Sequence, residues 1–326
     1  MRFKCLMRVF PSALVLATLT SAAVTADMAA ANASPAVVAP SGTYWSQTYG
    51  DEFNTGPADL NGWTYDLGNN AGWGNSEVET YTNSTNNVFV SGGTLNIDAI
   101  GTTSNGNTTY TSGRITTQGL FSQTYGLFEF RAQLPAGNGL WPAVWMMPAS
   151  STYGSWPNSG EIDMLESKGS STNMVQGSLH SGPSYNQQNT QYSVYTLPNN
   201  GQTTAWHTYD LLWQLVPAAG GGKQVQFTWY VDGQVYEVQR GGWTIPPSAP
   251  AGDTNAPFDQ PFYMIMNLAV GGDYVNYQTP GAGTYSMKID YVRTYTALAP
   301  EPGAAWLLAM AAVGLALVYR PKTRSN

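Results

Sequence analysis

Short segments in which apolar and polar residues alternate run through the middle of the 326-residue chain. They are rich in β-branched and aromatic residues, and Gly, Asn, Pro or Ser separate them; clear examples are 87–90, 94–99, 125–133, 224–231 and 285–295. Alternation with a period of two is typical of strands in a β-sandwich or barrel. Because no amphipathic helix of useful length interrupts residues 41–298, this stretch is predicted to fold as one all-β domain.

Two segments between these strands have the composition of hairpin loops. Residues 101–110 are almost entirely Gly, Thr, Ser and Asn, and residues 217–223 are rich in Ala and Gly. Glycine and small polar residues favour turns over continued strands. We therefore expect the chain to reverse direction within each segment.

The N-terminus has the pattern of an export signal. Three positive charges within residues 1–8 precede a mostly small and apolar run over residues 9–24. Small residues suit signal peptidase cleavage after Ala26, with a second candidate site after Ala33. A membrane anchor is the alternative, although the run is shorter than the roughly 20 residues that a span needs. Residues 1–26 are thus predicted to be a secretory signal peptide, and residues 27–40 a disordered leader.

Residues 299–326 have the pattern of a second targeting signal. Pro300-Glu301-Pro302 is followed by an uncharged apolar run over residues 303–319 and by the basic residues Arg320, Lys322 and Arg324. An apolar helix with a positive flank is typical of a membrane span with a cytoplasmic end. The order of tripeptide, apolar helix and basic tip resembles the PEP-CTERM sorting signal of Gram-negative bacteria. The resemblance implies transient membrane association and processing by an exosortase-type enzyme.

The charge distribution limits which partners the domain can have. Only 10% of the residues are charged, and residues 34–299 contain seven basic and 18 acidic residues, a formal charge of −11. Such a body disfavours nucleic acids and other polyanions and suits a neutral partner. The single cysteine, Cys5, precedes the apolar run of the predicted signal peptide. Disulfides, cysteine-ligated metals and a cysteine nucleophile are therefore excluded from the processed protein.

Three carboxylates fall within six residues, at Glu161, Asp163 and Glu166. On a regular strand Glu161 and Asp163 share a face, whereas Glu166 points the other way. One extra residue, a β-bulge, would return Glu166 to that face. Two carboxyls about 5–5.5 Å apart are the arrangement of a retaining glycosidase. A solvated strand face or a calcium site is the alternative interpretation of such a cluster.

The residues around this segment favour a sugar ligand. Trp141 and Trp145 precede it, Trp156 adjoins it and His180 follows it. Exposed indole rings beside an acid cluster suit the C–H faces of sugars, whereas the alternative is that these rings belong to the core. For His180 the alternative is a packed histidine of the core.

Residues 156–166, Trp-Pro-Asn-Ser-Gly-Glu-Ile-Asp-Met-Leu-Glu, resemble the signature of glycoside hydrolase family 16 in its laminarinase-like branch. Further blocks that resemble bacterial endo-β-1,3-glucanases follow in family order at 51–53, 72–75, 112–115, 125–129, 229–233, 258–263 and 290–293. The block after Asn75 departs from the pattern, with Glu77-Val78-Glu79 where many laminarinases carry Glu-Leu-Gln. A second departure is Ser181-Gly182 in place of a Tyr-Gly pair.

The resemblance implies a β-jelly-roll sandwich of two curved antiparallel sheets with a substrate cleft on the concave face. It implies Glu161 as nucleophile, Glu166 as general acid/base and Asp163 as the supporting acid between them. The substrate-binding residues would be Trp141, Trp145 and Trp156, with Asn75 and Arg114 on the non-reducing side and His180 near the acid/base. A structural calcium ion would be held by Glu52, the carbonyl of Gly92 and Asp290. No cofactor for catalysis and no obligate oligomer are implied.

These features predict an exported monomeric enzyme, extracellular or associated with the cell envelope, that cleaves β-1,3 bonds in laminarin-like glucans with retention. The first alternative is a hydrolase or transglycosylase that acts on mixed-linkage glucan or on a marine galactan. The second is a carbohydrate-binding protein without catalytic activity. Such proteins usually lose a catalytic carboxylate, whereas all three are present here.

Overall fold

The computed structural model describes residues 35–300. The chain divides into a unit Met1–Pro35, of which only Pro35 is described, and a unit that begins at Ala36. The predicted signal peptide and the predicted apolar helix 303–319 lie outside the described residues. No helix within residues 35–300 has the length and apolar character needed to cross a membrane.

The described chain forms strands joined by turns and a few short 3-10 helices. The strands, in chain order, are β1 (Tyr44–Asp51), β2 (Thr64–Tyr65), β3 (Glu79–Tyr81), β4 (Val88–Ser91), β5 (Thr94–Ser104), β6 (Asn107–Ser112), β7 (Arg114–Thr116), β8 (Gly126–Gln133), β9 (Leu140–Pro148), β10 (Glu161–Glu166), β11 (Met174–Ser181), β12 (Asn189–Thr196), β13 (His207–Pro217), β14 (Lys223–Val231), β15 (Gln234–Gln239), β16 (Phe262–Val270) and β17 (Gly283–Leu298). The 3-10 helices are Pro57–Gly62, Asn70–Gly72, Tyr185–Gln187 and Pro198–Asn200.

These strands form two sheets. The seven-stranded sheet has the order β12-β11-β10-β9-β16-β7-β2, and every pair in it is antiparallel. The ten-stranded sheet has the order β15-β14-β13-β8-β17-β5-β6-β3, with β1 on β17 and β4 on β5. Its pairs are antiparallel apart from the short parallel pair of β3 and β6. The predicted all-β jelly-roll sandwich is confirmed.

The core lies between the two sheets and contains the inward-facing residues of both. Trp213 of β13 stacks on Phe227 of β14 with ring centroids 5.6 Å apart, and meets Phe262 of β16 edge to face at 5.5 Å. The second contact joins the ten-stranded sheet to the seven-stranded one. All three rings are almost fully buried. Each such burial contributes about 1.5–3 kcal/mol, so the alternating pattern of the sequence is what holds the sheets together.

Both predicted hairpins are present, but one has longer strands than expected. β5 and β6 stay paired up to Ser104 and Asn107, which leaves only Asn105 and Gly106 in the turn. Both turn residues have positive φ, 50° and 78°, as a two-residue hairpin turn of this kind requires. Threonines continue the ladder where we expected a loop, because β-branched residues favour strands even when they are polar. The second hairpin closes at the pair Pro217 and Lys223, as predicted.

The predicted disordered leader is wrong for residues 35–40, because this segment is packed. Val37 is only 5% exposed and clusters with Leu127, Leu212 and Tyr295. Its carbonyl oxygen accepts a hydrogen bond of 2.7 Å from the indole nitrogen of Trp45. A short apolar segment without periodicity gave no sign of this contact. The folded domain therefore includes residues before 41.

This packing generates a prediction with a neighbouring control. Val37→Ala should lower the free energy of unfolding by about 1–2 kcal/mol, since it removes buried methyl groups and leaves a small cavity. Val38 is 86% exposed, so Val38→Ala should leave stability unchanged. Denaturant unfolding of both variants measures the difference. Equal stability of the two variants would contradict the docking of this segment.

Candidate active site

The predicted β-bulge is present in β10 and brings the three carboxylates onto one surface. Asp163 lies opposite Ser178 of β11 and Glu166 lies opposite Gln176, so Met164 and Leu165 together face the single residue between them, Gly177. The register against β9 shifts at the same place. Ile162, Met164 and Leu165 are buried in the core. The bulge therefore turns apolar side chains inward and carboxylates outward.

A hydrogen bond from the opposite sheet supports the bulge. The indole nitrogen of Trp229, on β14, donates to the backbone carbonyl oxygen of Asp163 at 3.0 Å. Trp229 is itself almost fully buried. A Cβ atom at Gly177 would lie 2.5 Å from that indole nitrogen. Only glycine at position 177 leaves room for the Trp229 ring. Trp229 supplies the hydrogen-bond donor, and Gly177 supplies the space that its ring needs.

Each carboxylate has its own hydrogen-bond partners. Glu161 accepts from the indole nitrogen of Trp156 at 2.6 Å. Glu166 accepts from Trp141 at 3.1 Å and from Gln176 at 3.2 Å. The hydroxyl oxygen of Ser178 lies 2.7 Å from Asp163 and 3.0 Å from Glu166. Its single proton can serve one of the two carboxylates at a time.

His180 lies against the nucleophile end of the cluster. Its Nε2 atom is 3.0 Å from Asp163 and 3.9 Å from Glu161, whereas the resemblance placed the residue near the acid/base. Its Nδ1 atom lies 3.0 Å from the hydroxyl of Thr190. Burial alone would lower the pKa of His180, but the neighbouring carboxylates, Glu161 foremost, raise it to about 10. The imidazole is therefore a cation among three acids.

The two outer carboxyls hold protons far more tightly than ordinary glutamates. Burial foremost, and next the charge of Asp163, raise the pKa of Glu161 to about 7 and that of Glu166 to about 8. The positive charge of His180 opposes these effects. Near neutral pH one carboxyl can thus be ionised while the other holds a proton. Acid/base chemistry needs such a pair, with one group to donate a proton and one that is already ionised.

Aromatic rings and an arginine line the cleft on the side of β10 where β9 and β7 lie. Arg114 of β7 forms a 2.8 Å ion pair with Asp66, and its guanidinium lies 4.4 Å from the ring of Trp73 and 4.9 Å from that of Trp145. Trp141 packs on Tyr274 with centroids 4.9 Å apart. These contacts hold the rings and the guanidinium in fixed orientations beside the carboxylates.

One chain of hydrogen bonds joins two of the predicted sugar-binding residues. The indole nitrogen of Trp145 donates to Asn267 at 2.8 Å, and the amide of Asn267 donates to the hydroxyl of Tyr81 at 3.0 Å. Tyr81 in turn donates to Glu77 at 3.0 Å, and Asn75 donates to the other oxygen of Glu77 at 3.0 Å. Glu77 therefore fixes Asn75 and Trp145 together.

Glu79, at one of the departures from the family pattern, completes this arrangement. Its side chain is fully buried, and one carboxyl oxygen accepts from the backbone nitrogen of Val270 at 2.7 Å. Burial, and next the charge of Glu77, raise the pKa of Glu79 to about 8. A protonated carboxyl can donate to Glu77, as the amide of a glutamine could. The substitution thus keeps the hydrogen-bonding capacity of the glutamine that the resemblance implies.

Several residues of the site were missed by the sequence analysis. They are Asp66, Trp73, Glu77, Gln176, Ser178, Asn267 and Tyr274. Ser178 and Gln176 lie two and four residues before His180 on the same strand, so alternation could have identified them. Asn267 and Tyr274 come from distant parts of the chain, and no local pattern marks them.

The residues that could hold a metal within the described chain are Glu161, Asp163 and His180. Their ligand atoms lie within 4.8 Å of one another. A protonated imidazole has no free lone pair for a metal, and Asp163 already accepts from His180. The cluster is therefore better described as a charge-compensated acid site than as a metal centre.

The residues predicted to hold calcium do not fit that role. The two carboxylate oxygens of Glu52 pair with the guanidinium of Arg293 at 2.7 and 2.8 Å. Asp290 pairs with Arg131 at 2.5 Å. Gly92 lies in the turn between β4 and β5 with a φ of 64°. Because a cation would have to displace two arginines, the predicted calcium site is not supported.

Comparison with known proteins agrees with the fold and identifies the family. The family model described as "Glycosyl hydrolases family 16" matches residues 73–293. A glucan endo-1,3-β-glucosidase A1 of Niallia circulans is 42% identical over 265 residues, which are 75% of this chain and 37% of that protein. A β-glucanase of Rhodothermus marinus is 38% identical and aligns over 77% of this chain and 85% of its own length.

A solved structure is also similar to this chain. The laminarinase from Rhodothermus marinus has a TM-score of 0.63 at 34% identity, over 78% of this chain and 99% of that one. The match includes the strands that carry the carboxylates, since the family model spans β10 and its neighbours. Catalysis in this family needs no cofactor. The chain belongs to glycoside hydrolase family 16 and is a glycoside hydrolase.

Proposed function

We propose that the enzyme hydrolyses β-1,3-glucosidic bonds within laminarin-like β-glucans with retention of configuration. The observation that supports this most is the bulged strand β10, which presents two outer carboxyls and a buried central one to the same cleft. The relatives named as endo-1,3-β-glucosidase and laminarinase support the linkage. The neutral charge of a glucan suits a domain that carries many more acids than bases.

In the first step Glu161 attacks the anomeric carbon of the sugar on the non-reducing side. The bond from that carbon to the leaving oxygen breaks, and Glu166 transfers its proton to that oxygen. A covalent glycosyl ester of Glu161 and a free sugar hydroxyl result. The indole of Trp156 holds the attacking carboxylate in position through its 2.6 Å hydrogen bond.

In the second step the roles of Glu166 reverse. Its carboxylate takes a proton from water, and the water oxygen bonds to the anomeric carbon. The ester bond breaks and its electron pair returns to Glu161. The new reducing end has the β configuration, and both carboxyls regain their starting protonation.

Asp163 and His180 regulate the charge of the two reacting carboxyls. The Asp163 anion raises the pKa of both, which favours a protonated Glu166, whereas the His180 cation stabilises Glu161 as an anion. Asp163 is 3% exposed and bonds His180 directly, so the pair acts as a buried unit. The balance between these charges sets the pH range in which both carboxyls are in the reactive state.

The residues that bind sugar lie on the two sides of β10. We assign Asn75, Trp145 and Arg114 to the non-reducing side, where Glu77 and Asp66 hold them. Trp141 and Trp156 contact the acid/base and the nucleophile directly. They are therefore assigned to the sugars that flank the cleaved bond.

Export is proposed from the chain ends alone. The predicted signal peptide 1–26, with cleavage as late as 33 as the alternative, would direct the chain through the inner membrane. The tail 299–326 would provide a transient membrane anchor for an exosortase-type enzyme. The domain would then act on polysaccharide outside the cell or within the cell envelope, as a monomer.

The proposed function is tested by release of reducing ends from laminarin, mixed-linkage β-glucan and agarose. We expect fastest release from laminarin and a loss of at least about a thousandfold in Glu161→Gln, because the amide cannot form the ester. Glu237→Gln, on β15 of the other sheet, is the matched control. Release from agarose alone would overturn the linkage, and an active Glu161→Gln would overturn the mechanism.

The charge of His180 generates a second prediction, about pH dependence. His180→Gln removes a positive charge that lowers the pKa of both Glu161 and Glu166. Both limbs of the profile of kcat/KM against pH should therefore move to higher pH, by about one unit. The chain has one other histidine, His207, which bonds Asp232, so His207→Gln is the control. A profile that stays in place or moves to lower pH in His180→Gln would contradict this electrostatic account.

A further inference from the structure

β12 is the outermost strand of the seven-stranded sheet, and the side chains on one of its faces have not been assigned a role so far. Ser193 of β12 donates to Glu237, and Tyr195 stacks on Tyr236 at 5.1 Å, so the odd-numbered residues face the ten-stranded sheet. Thr190 contacts His180 at 3.0 Å. Because side chains alternate along a strand, the even-numbered residues face the same side as the catalytic cluster.

The register with β11 locates these even-numbered residues beside the cluster. Tyr192 lies directly opposite Ser178, whose hydroxyl contacts both Asp163 and Glu166. Directly opposite residues of an antiparallel pair share a face. Tyr192 is 60% exposed. An aromatic ring thus stands open to solvent two strands away from the carboxylates, on the same surface.

The direction of the substrate follows from the positions of the two reacting carboxyls. Glu161 and Glu166 lie one after the other along β10, and the cleaved bond must pass between them. The polymer therefore crosses the strands of the sheet instead of running along one. With Arg114 and Asn75 on one side of β10, the reducing-end sugars extend over β11 and then over β12.

We propose that Tyr192 is a stacking platform for the second sugar on the reducing-end side of the cleaved bond. The proposal rests on the proposed function. β12 is about 10 Å from β10, two strand spacings, and a hexose repeat is of about the same length as one spacing. The first reducing-end sugar then lies over the polar side chains of β11, Gln176, Ser178 and His180. The second lies over Tyr192, whose ring suits the C–H face of a neutral sugar.

The neighbours of Tyr192 support a shallow, open platform. Val194, 52% exposed, lies opposite Gln176, and Thr190 lies opposite His180. No charged side chain lies on the even-numbered positions of β12. Such a surface holds a neutral chain weakly and along its length, which suits a polymer that must leave after cleavage.

Two substrates with the same non-reducing sugars test this proposal. Laminarihexaose places sugars on both sides of the cleaved bond, whereas 4-nitrophenyl β-laminaribioside has only an aryl group on the reducing-end side. Tyr192→Ala should lower kcat/KM for the hexasaccharide about tenfold, mainly through KM. It should leave kcat/KM for the aryl glycoside within about twofold of wild type. Tyr192→Phe, which keeps the ring, should restore most of the hexasaccharide activity.

Tyr44→Ala provides the matched control, because Tyr44 is 49% exposed but lies on β1 of the other sheet. An active enzyme whose Tyr192→Ala variant shows no loss on the hexasaccharide would overturn the platform. Equal losses on both substrates would overturn it too, because they would indicate a structural role or a site on the non-reducing side. Inactivity of the wild type on both substrates would instead contradict the proposed function itself.

Discussion

One extra residue in β10 determines what the cleft can do. Without the bulge, Glu166 would point into the core and Leu165 into the cleft. The bulge persists because Trp229 donates to the carbonyl of Asp163 from the opposite sheet, and because Gly177 leaves space for that ring. The sandwich therefore contributes directly to the site, since the second sheet supplies the hydrogen bond that holds the catalytic strand in its irregular form.

Bringing three acids together in a buried cleft has an electrostatic cost that the rest of the site offsets. His180 supplies the one nearby positive charge among the cleft-facing residues of β11, and Ser178, Trp141 and Trp156 donate hydrogen bonds. Burial, and next the charge of Asp163, outweigh these contacts, so Glu161 and Glu166 keep raised pKa values. The raised pKa of Glu166 is useful, because an acid catalyst must hold its proton near neutral pH.

Local pattern was enough to predict the all-β fold class, the bulge and the shared face of the three carboxylates, because all of these depend on spacing within short segments. The chain of hydrogen bonds from Trp145 through Asn267 to Glu77 was not predictable, since it joins segments that are far apart in sequence. Two predictions failed for the same reason. Val37 was expected in a disordered segment but is docked, and Glu52 and Asp290 were expected to bind calcium but pair with arginines. In each case a tertiary contact decided the outcome for a residue whose local sequence indicated something else.

The central claim is that Glu161 forms a covalent bond to the sugar while Glu166 acts first as acid and then as base. Proton NMR of the first reducing ends released from laminarin, recorded before the anomers equilibrate, tests it most directly. Two successive inversions at the anomeric carbon predict the β anomer as the initial product. Initial release of the α anomer would mean that water attacks the sugar directly, and it would contradict the role assigned to the bulged strand.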